Sequence, residues 1–137
     1  MKKRKAIRTS IRTGPFNSLL EKRIFSTISQ QLRNSLIHIN PKGLLPGKRK
    51  LELDLYFPHY KLGIEIQGPS HFCHETHILN DYYKKKIFSR ELGIDILYVY
   101  THSYPSLTFS RDKCISILKK KENEKIIHEN ANRHNRV

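Results

Sequence analysis

Three carboxylates, Glu52, Asp54 and Glu65, lie close together in the chain, and Gln67 and His71 follow them. Carboxylates hold divalent cations, and carboxylates and imidazoles are the side chains that most often move protons in hydrolytic sites. This set of residues marks a candidate site, provided that the fold brings the carboxylates to one face.

The stretch that carries these carboxylates is the most regularly alternating one in the chain. It reads LELDLYFPHYKLGIEIQGPSHF from Leu51 to Phe72, with apolar and polar residues alternating on both sides of a Pro-His turn. That period of two predicts a β-hairpin. Matching the apolar faces of the two strands requires Leu55 to lie opposite a residue such as Leu62 or Ile64.

Either register also fixes the positions of the acids. Glu65 then lies opposite Glu52 or Asp54, so the carboxylates share one face of the hairpin. Like charges directly opposite each other are destabilising, and we therefore expect a compensating cation, either a nearby lysine or a bound metal. The alternative is that these acids are solvated and paired to Lys48, Lys50 or Lys61.

The other periodic segments predict helices and strands around this hairpin. Apolar residues recur every four positions in the first helix, and Ser18 with Glu21 has the spacing of a capping box there. The predicted segments are a helix at 18–33, a strand at 36–39, a helix at 80–92, a strand at 94–100 and a helix at 106–121. This order implies an α/β fold with a small mixed β-sheet flanked by helices.

The length of 137 residues suits one domain. Residues 1–14 are basic with few apolar side chains, which predicts a flexible arm. Residues 15–121 contain every predicted element and form the single domain. Residues 122–137 are polar and charged without clear periodicity, which predicts a disordered polar tail.

The charge of the chain indicates a nucleic-acid partner. Lys and Arg number 26 against 12 acidic residues, for a net charge of +14. A basic protein without such a role, or a ribosome-associated one, would have the same charge. The candidate nucleic-acid contacts lie in one loop and one helix, and they are Lys48, Arg49, Lys50, Lys84, Lys85 and Lys86.

The location expected from the sequence is the cytoplasm. No apolar run has the length of a membrane span, so no membrane partner is expected, although residues 1–20 lack acids and an organelle remains an alternative. The two cysteines form no CxxC pair, which argues against a disulfide framework. Cys73, His74 and His77 lie near His71, and Cys114 could join them from a distant part of the chain, but their spacing fits no standard zinc pattern, so structural Zn²⁺ is not expected.

The combination of these segments resembles the PD-(D/E)XK nuclease superfamily. The run LDLYFPHYKLGIEIQGPSHF, Asp81 opening a Lys-rich helix, and ELGIDILYVY occur in the order that the superfamily shows. The most similar branch is EDxHD, which contains very-short-patch mismatch-repair endonucleases and phage homing endonucleases. The resemblance covers about residues 18–101 and implies a restriction-endonuclease-like αβββαβ core.

The resemblance also implies roles for individual residues. Glu21 corresponds to the acid of the first helix and Asp54 to the metal ligand of the hairpin. His71 corresponds to the general base and Asp81 to the acid that orients it. These roles imply hydrolysis of DNA phosphodiesters with Mg²⁺, or with Mn²⁺ in its place.

One position departs from the superfamily pattern. Glu65 and Gln67 occupy the E-x-K positions, and Gln67 lacks the positive charge of the usual lysine. Activity would then depend on His71 or on Lys84 or Lys85, and the expected activity includes weak cleavage or nicking.

The implied metal ligands are Asp54, Glu65 and the backbone carbonyl of Ile66, and the implied substrate is double-stranded DNA bound by a monomer or a homodimer. A non-catalytic nucleic-acid-binding module, with Gln67 marking a decayed site, is one alternative. A second alternative comes from the sequence GPSHF at Gly68 to Phe72, which resembles the RAP domain and implies an RNA-binding or RNA-processing module.

Overall fold

A computed structural model describes residues 10–12, 18–45, 51–68 and 75–135. Within them the chain forms five strands and three helices. In chain order these are β1 (Ser10–Arg12), α1 (Leu19–Gln31), β2 (Ile37–Ile39), β3 (Leu55–Phe57), β4 (Leu62–Gln67), α2 (Glu75–Leu92), β5 (Asp95–Tyr100) and α3 (Tyr104–Asn135).

The five strands form one mixed sheet in the order β1-β2-β3-β4-β5. The β2, β3 and β4 strands pair antiparallel, while β1 pairs parallel with β2 and β5 pairs parallel with β4. A parallel pair needs a long crossover connection, and α2 supplies it between β4 and β5. The predicted α/β class with a small mixed sheet and flanking helices is confirmed.

Each face of the sheet carries its own apolar cluster. On one face, α1 and α3 cover the inward residues of β2 to β5, including Leu55, Ile64 and Val99. On the other face, α2 packs Ile87 and Phe88 against the sheet. The sheet is thus the middle layer of three, so a side chain of β4 or β5 meets α2 on one side and α3 on the other.

The hairpin has one of the two registers that the alternation allows, with Leu55 opposite Ile64. Its first strand is shorter than predicted, because the alternation breaks between Leu53 and Leu55. Leu53 packs with the α2 cluster while Leu55 packs with the α1 and α3 cluster. The cause is Gly63, whose missing side chain leaves the space that Leu53 fills: a Cβ there would lie 2.6 Å from Leu53 Cδ1. Asp54 lies at this break.

The prediction of a disordered tail from residue 122 is wrong. The third helix continues to Asn135, and the Glu122 side chain is buried. Its carboxylate accepts hydrogen bonds from the amide N–H groups of Arg33 and Asn34 and from Ser35 Oγ, which ties the helix to the segment after α1. The sequence did not indicate this contact, because the buried group is a charged side chain in a polar segment.

Two smaller predictions also differ from the structure. Residues 10–12, assigned to the flexible arm, form the edge strand β1. The second helix begins at Glu75, five residues before the predicted start at residue 80. Among the described helices, none combines the length and the apolar content needed to cross a membrane.

Side chains from the helices occupy the outer edge of β5, the last strand of the sheet. Lys85 Nζ donates to the carbonyl oxygen of Ile96 at 3.2 Å, and the Cys114 thiol donates to the carbonyl oxygen of Tyr98 at 3.8 Å. The amide N–H of Tyr100 donates to Ser110 Oγ at 2.9 Å. These contacts satisfy polar groups that an edge strand would otherwise offer to another chain.

Candidate active site

The two acids of the hairpin face each other and are held by backbone amides. The N–H of Asp54 donates to Glu65 Oε2 at 3.0 Å, and the N–H of Ile66 donates to Asp54 Oδ2 at 2.8 Å. These bonds form because Asp54 has left the regular strand ladder and turns its side chain toward β4. Glu52 is not part of the pair and instead forms an exposed ion pair with Lys42 at 3.2 Å.

Glu21 joins this pair from the first turn of α1. Ser18 is the N-cap, and its Oγ accepts from the Glu21 N–H at 3.0 Å, as the capping-box spacing predicts. The Glu21 side chain is buried and hydrogen-bonds to the Asp54 carboxyl. The backbone N–H of Glu21 therefore takes part in the N-cap of α1, and its side chain reaches the candidate site.

The compensating cation expected from the paired acids is Lys84. Its Nζ lies 2.5 Å from Glu65 Oε1, and both side chains are nearly buried, at 14% and 12% exposed. The lysine arrives from α2, on the face of the sheet that also carries Tyr98. Three carboxyl groups, those of Glu21, Asp54 and Glu65, thus lie in one connected group with one ammonium.

This crowding changes the protonation of the acids. Burial raises the pKa of Glu65 to about 8, with the nearby Asp54 charge adding to the increase and Lys84 opposing it. Burial likewise raises the pKa of Asp54, against the lowering effect of the Ile66 amide and of Lys84. Two carboxylates this close repel each other, so the protonated form of Glu65 is favoured near neutral pH.

The donor set suits a hard divalent cation. Asp54 and Glu65 provide two adjacent carboxylates, and Mg²⁺ is commonly held by one or two carboxylates with water completing its shell. Within the described segments, no group of three or more His, Cys, Asp or Glu side chains is arranged to hold a metal ion. Cys114, a distant candidate for a zinc site, is a free buried thiol in the core.

The second helix and β5 extend the site beyond the hairpin. Glu65 and Gln67 lie beside Tyr98 and Tyr100 in the parallel register of β4 and β5, and Gln67 is buried. Burial raises the pKa of the Tyr98 phenol, and the charges of Asp81 and Glu65 raise it further. Asp81 is therefore close to Tyr98, at the end of the site where β4 and β5 end.

The predicted site residues fall into two groups. The structure brings together Glu21, Asp54, Glu65 and Lys84, with Asp81 and Gln67 nearby. The backbone of Ile66 contacts Asp54 through its N–H, while a role for its carbonyl as a metal ligand remains a prediction. The predicted general base His71 and the loop residues Lys48, Arg49 and Lys50 lie outside the described residues.

The three α2 lysines predicted to bind nucleic acid, Lys84, Lys85 and Lys86, do not form one patch. Lys84 is turned inward to Glu65, whereas Lys85 contacts the edge of β5 and lies 5.3 Å from the centroid of the Tyr98 ring. Lys86 lies 5.6 Å from the ring centroid of exposed Tyr82. Three consecutive lysines on one helix therefore meet three different environments.

Sequence analysis missed the part of the site that β5 contributes. Tyr98 and Tyr100 look like ordinary core aromatics in a nearly continuous apolar strand. The helix predicted between the Glu65 strand and the Tyr98 strand was the available signal. A helix that connects two neighbouring strands predicts that they pair in parallel, which gives Glu65 a neighbour on the second strand.

Comparisons of the chain with protein-family models, with curated proteins and with solved structures find no match.

Proposed function

We propose that the protein is a metal-dependent DNA endonuclease of the PD-(D/E)XK type. The observation that carries the proposal is the Asp54–Glu65 pair, which two backbone amides hold side by side at a break in the hairpin. The order α1-β2-β3-β4-α2-β5 agrees with the αβββαβ order that the resemblance implies. A net charge of +14 suits a phosphodiester substrate.

Asp54 and Glu65 are the residues that would hold a divalent cation in this proposal. When bound, that ion supplies Lewis-acid polarisation of a phosphoryl oxygen and stabilises the developing charge. Glu21 hydrogen-bonds to the Asp54 carboxyl and so orients it. Glu21 is therefore a positioning residue.

Lys84 is proposed to replace the lysine that the superfamily has at the position of Gln67. The buried, uncharged amide of Gln67 supplies no positive charge to a phosphate, whereas the ammonium of Lys84 reaches the Glu65 carboxyl from a neighbouring helix. We assign it the role of a positive charge beside the reacting phosphate.

His71 and Asp81 retain their proposed roles as proton acceptor and orienting acid. Imidazole has an ordinary pKa suited to accepting a proton from water near neutral pH. The variant H71A should lose cleavage while it keeps DNA affinity. Cleavage at the wild-type rate by H71A would show that another group removes the proton.

The test of the proposed function is nicking of supercoiled plasmid in Mg²⁺, in Mn²⁺ and in a chelator. The wild type should convert the plasmid in either metal and not in the chelator, and D54N should be inactive. D112N is a matched control, because Asp112 is an exposed acid on α3 whose partner is Arg111. Equal activity of D54N and D112N would overturn the proposal.

A second candidate function is favoured by the Lys84–Glu65 ion pair itself. A Glu65 that keeps its proton near neutral pH, in contact with the Lys84 ammonium, needs no metal to compensate its charge, which suits a non-catalytic nucleic-acid-binding module. This candidate predicts salt-sensitive DNA binding without nicking in either metal. A labelled structured RNA, tested beside the duplex, would detect the RNA preference of a RAP-like module.

A further inference from the structure

A groove runs along the outer edge of β5, between α2 and α3. It encloses about 190 Å³, several times the ~30 Å³ that one water molecule occupies in the liquid. We call it the β5-edge groove, and its lining residues include Lys85, Tyr98, Tyr100, Lys113 and Ile117.

The charge lining of the β5-edge groove is positive. Lys85 reaches it from α2 and Lys113 from α3, and within the described part of the chain neither lysine forms an ion pair with a carboxylate. Among the residues that the structure describes, none that lines the groove is acidic. The depression on the outer side of α3 differs, because Lys119 and Lys120 there lie among Asp112 and Glu124.

The remaining lining suits a ligand with an apolar part. Leu97 and Ile117 provide apolar surface, and the rings of Tyr98 and Tyr100 are stacked at 6.1 Å between centroids. Burial raises the pKa of the Cys114 thiol to about 11, so that side chain is neutral here. A phosphate on the lysines and a sugar on the apolar wall would satisfy both kinds of surface.

The groove lies next to the candidate active site. Tyr98 lines the groove and is the direct neighbour of Glu65 across the β4–β5 pair, where strands lie about 4.8 Å apart. Lys84 and Lys85 are consecutive on α2, one facing Glu65 and the other the groove.

We infer that the β5-edge groove binds a backbone phosphate of the proposed nucleic-acid partner. The inference depends on that partner and does not require that the strand is cleaved. Lys113 and Lys85 would contact the phosphate, holding the strand next to the Asp54–Glu65 pair.

The test measures the affinity for a fluorescently labelled DNA duplex over a series of salt concentrations, without divalent cation. The variant K113Q should weaken binding and reduce the slope of log K against log salt by about 0.9, the loss of one phosphate contact. The double variant K85Q/K113Q should reduce the slope by about twice as much. K119Q is the matched control: it removes the same charge from an exposed position of the same helix, and its slope should stay at the wild-type value.

A second measurement locates the contact without a substitution. Bound DNA should protect Lys113 from amine acylation, detected by mass spectrometry, while Lys119 stays reactive. Equal slopes for K113Q and K119Q, or equal protection of the two lysines, would overturn the groove while leaving the proposed endonuclease untouched. Absence of DNA binding by the wild type would overturn the nucleic-acid partner itself.

Discussion

Lys84 Nζ lies 2.5 Å from Glu65 Oε1, so the candidate metal site contains a positive charge of its own. The ammonium and a divalent cation would compete for the same carboxylate, because both are attracted by the negative charge of ionised Glu65 and Asp54. The lysine is thus able to stabilise the site before a metal binds and to face the substrate afterwards.

Replacement of Lys84 should therefore separate metal binding from cleavage. We expect K84Q to bind Mn²⁺ several-fold more tightly, because a competing positive charge is removed, and to cleave plasmid at least about ten-fold more slowly. Titration calorimetry without DNA measures the first effect and plasmid nicking the second. K86Q is the control, since Lys86 lies over exposed Tyr82. Unchanged metal affinity in K84Q would contradict the competition.

Glu65 should make stability fall as the pH rises. Its pKa in the folded protein is about 8, above the ordinary value of 4.5, so between these values the folded chain holds a proton that the unfolded chain has released. The free energy of unfolding therefore decreases with increasing pH across this window.

The E65Q variant isolates this effect from other titrating groups. In a chelator, urea unfolding near pH 5 and near pH 8 should show a decrease for the wild type that is larger than that of E65Q by at least about 1 kcal/mol. Addition of Mg²⁺ should diminish the decrease in the wild type, because a bound cation favours the ionised carboxylate. The same pH dependence in E65Q and wild type would contradict the assigned pKa.

Gly63 should be intolerant of a side chain. A Cβ at this position would lie 2.6 Å from Leu53 Cδ1, so G63A must displace Leu53 and the break at Asp54 beside it. We expect a loss of about 1–3 kcal/mol in unfolding free energy, the range for overpacking a core.

Two further variants show whether the effect of G63A comes from this contact. G68A is the control, because the nearest atom to a Cβ there is Thr101 Oγ1 at 3.8 Å, and its stability should change little. In a double-mutant cycle, L53A combined with G63A should cost less than the sum of the single changes. Additive costs would show that G63A does not destabilise the protein through its contact with Leu53.

The paired acids could be predicted from the sequence because a strand has a period of two. A register shift by one residue would turn every apolar side chain of the hairpin to the wrong face, so the alternation limited the partner of Leu55 to a residue such as Leu62 or Ile64. Both registers put Glu65 opposite Glu52 or Asp54, and the structure has the one with Leu55 opposite Ile64. The identity of the compensating cation was not determined, since a lysine and a metal satisfy the same charges. Lys84 was identified by the packing of α2.

Other features depended on contacts between distant parts of the chain. The turn of Leu53 to the α2 side depends on the space above Gly63. The length of α3 depends on Glu122, whose partners Arg33 and Asn34 are 89 and 88 residues away in the chain. Local polarity indicated disorder there, because no local pattern reveals that a glutamate will be buried with donors around it.

Removal of the Glu122 carboxylate should release the second half of α3. The group accepts two backbone N–H bonds and a bond from Ser35 Oγ, which also contacts Tyr60 Oη at 2.9 Å, so E122A would leave buried donors without an acceptor. We expect a loss of about 2–4 kcal/mol in unfolding free energy and faster amide exchange from residue 122 onward. E124A is the control, because Glu124 is exposed and pairs with Lys121 at 3.9 Å. The same hydrogen bonds hold the segment that leads from α1 to β2, so amide exchange in E122A should also increase at Arg33 to Ser35. In E124A both segments should keep wild-type protection. Equal exchange in the two variants would show that α3 is held by its apolar face alone.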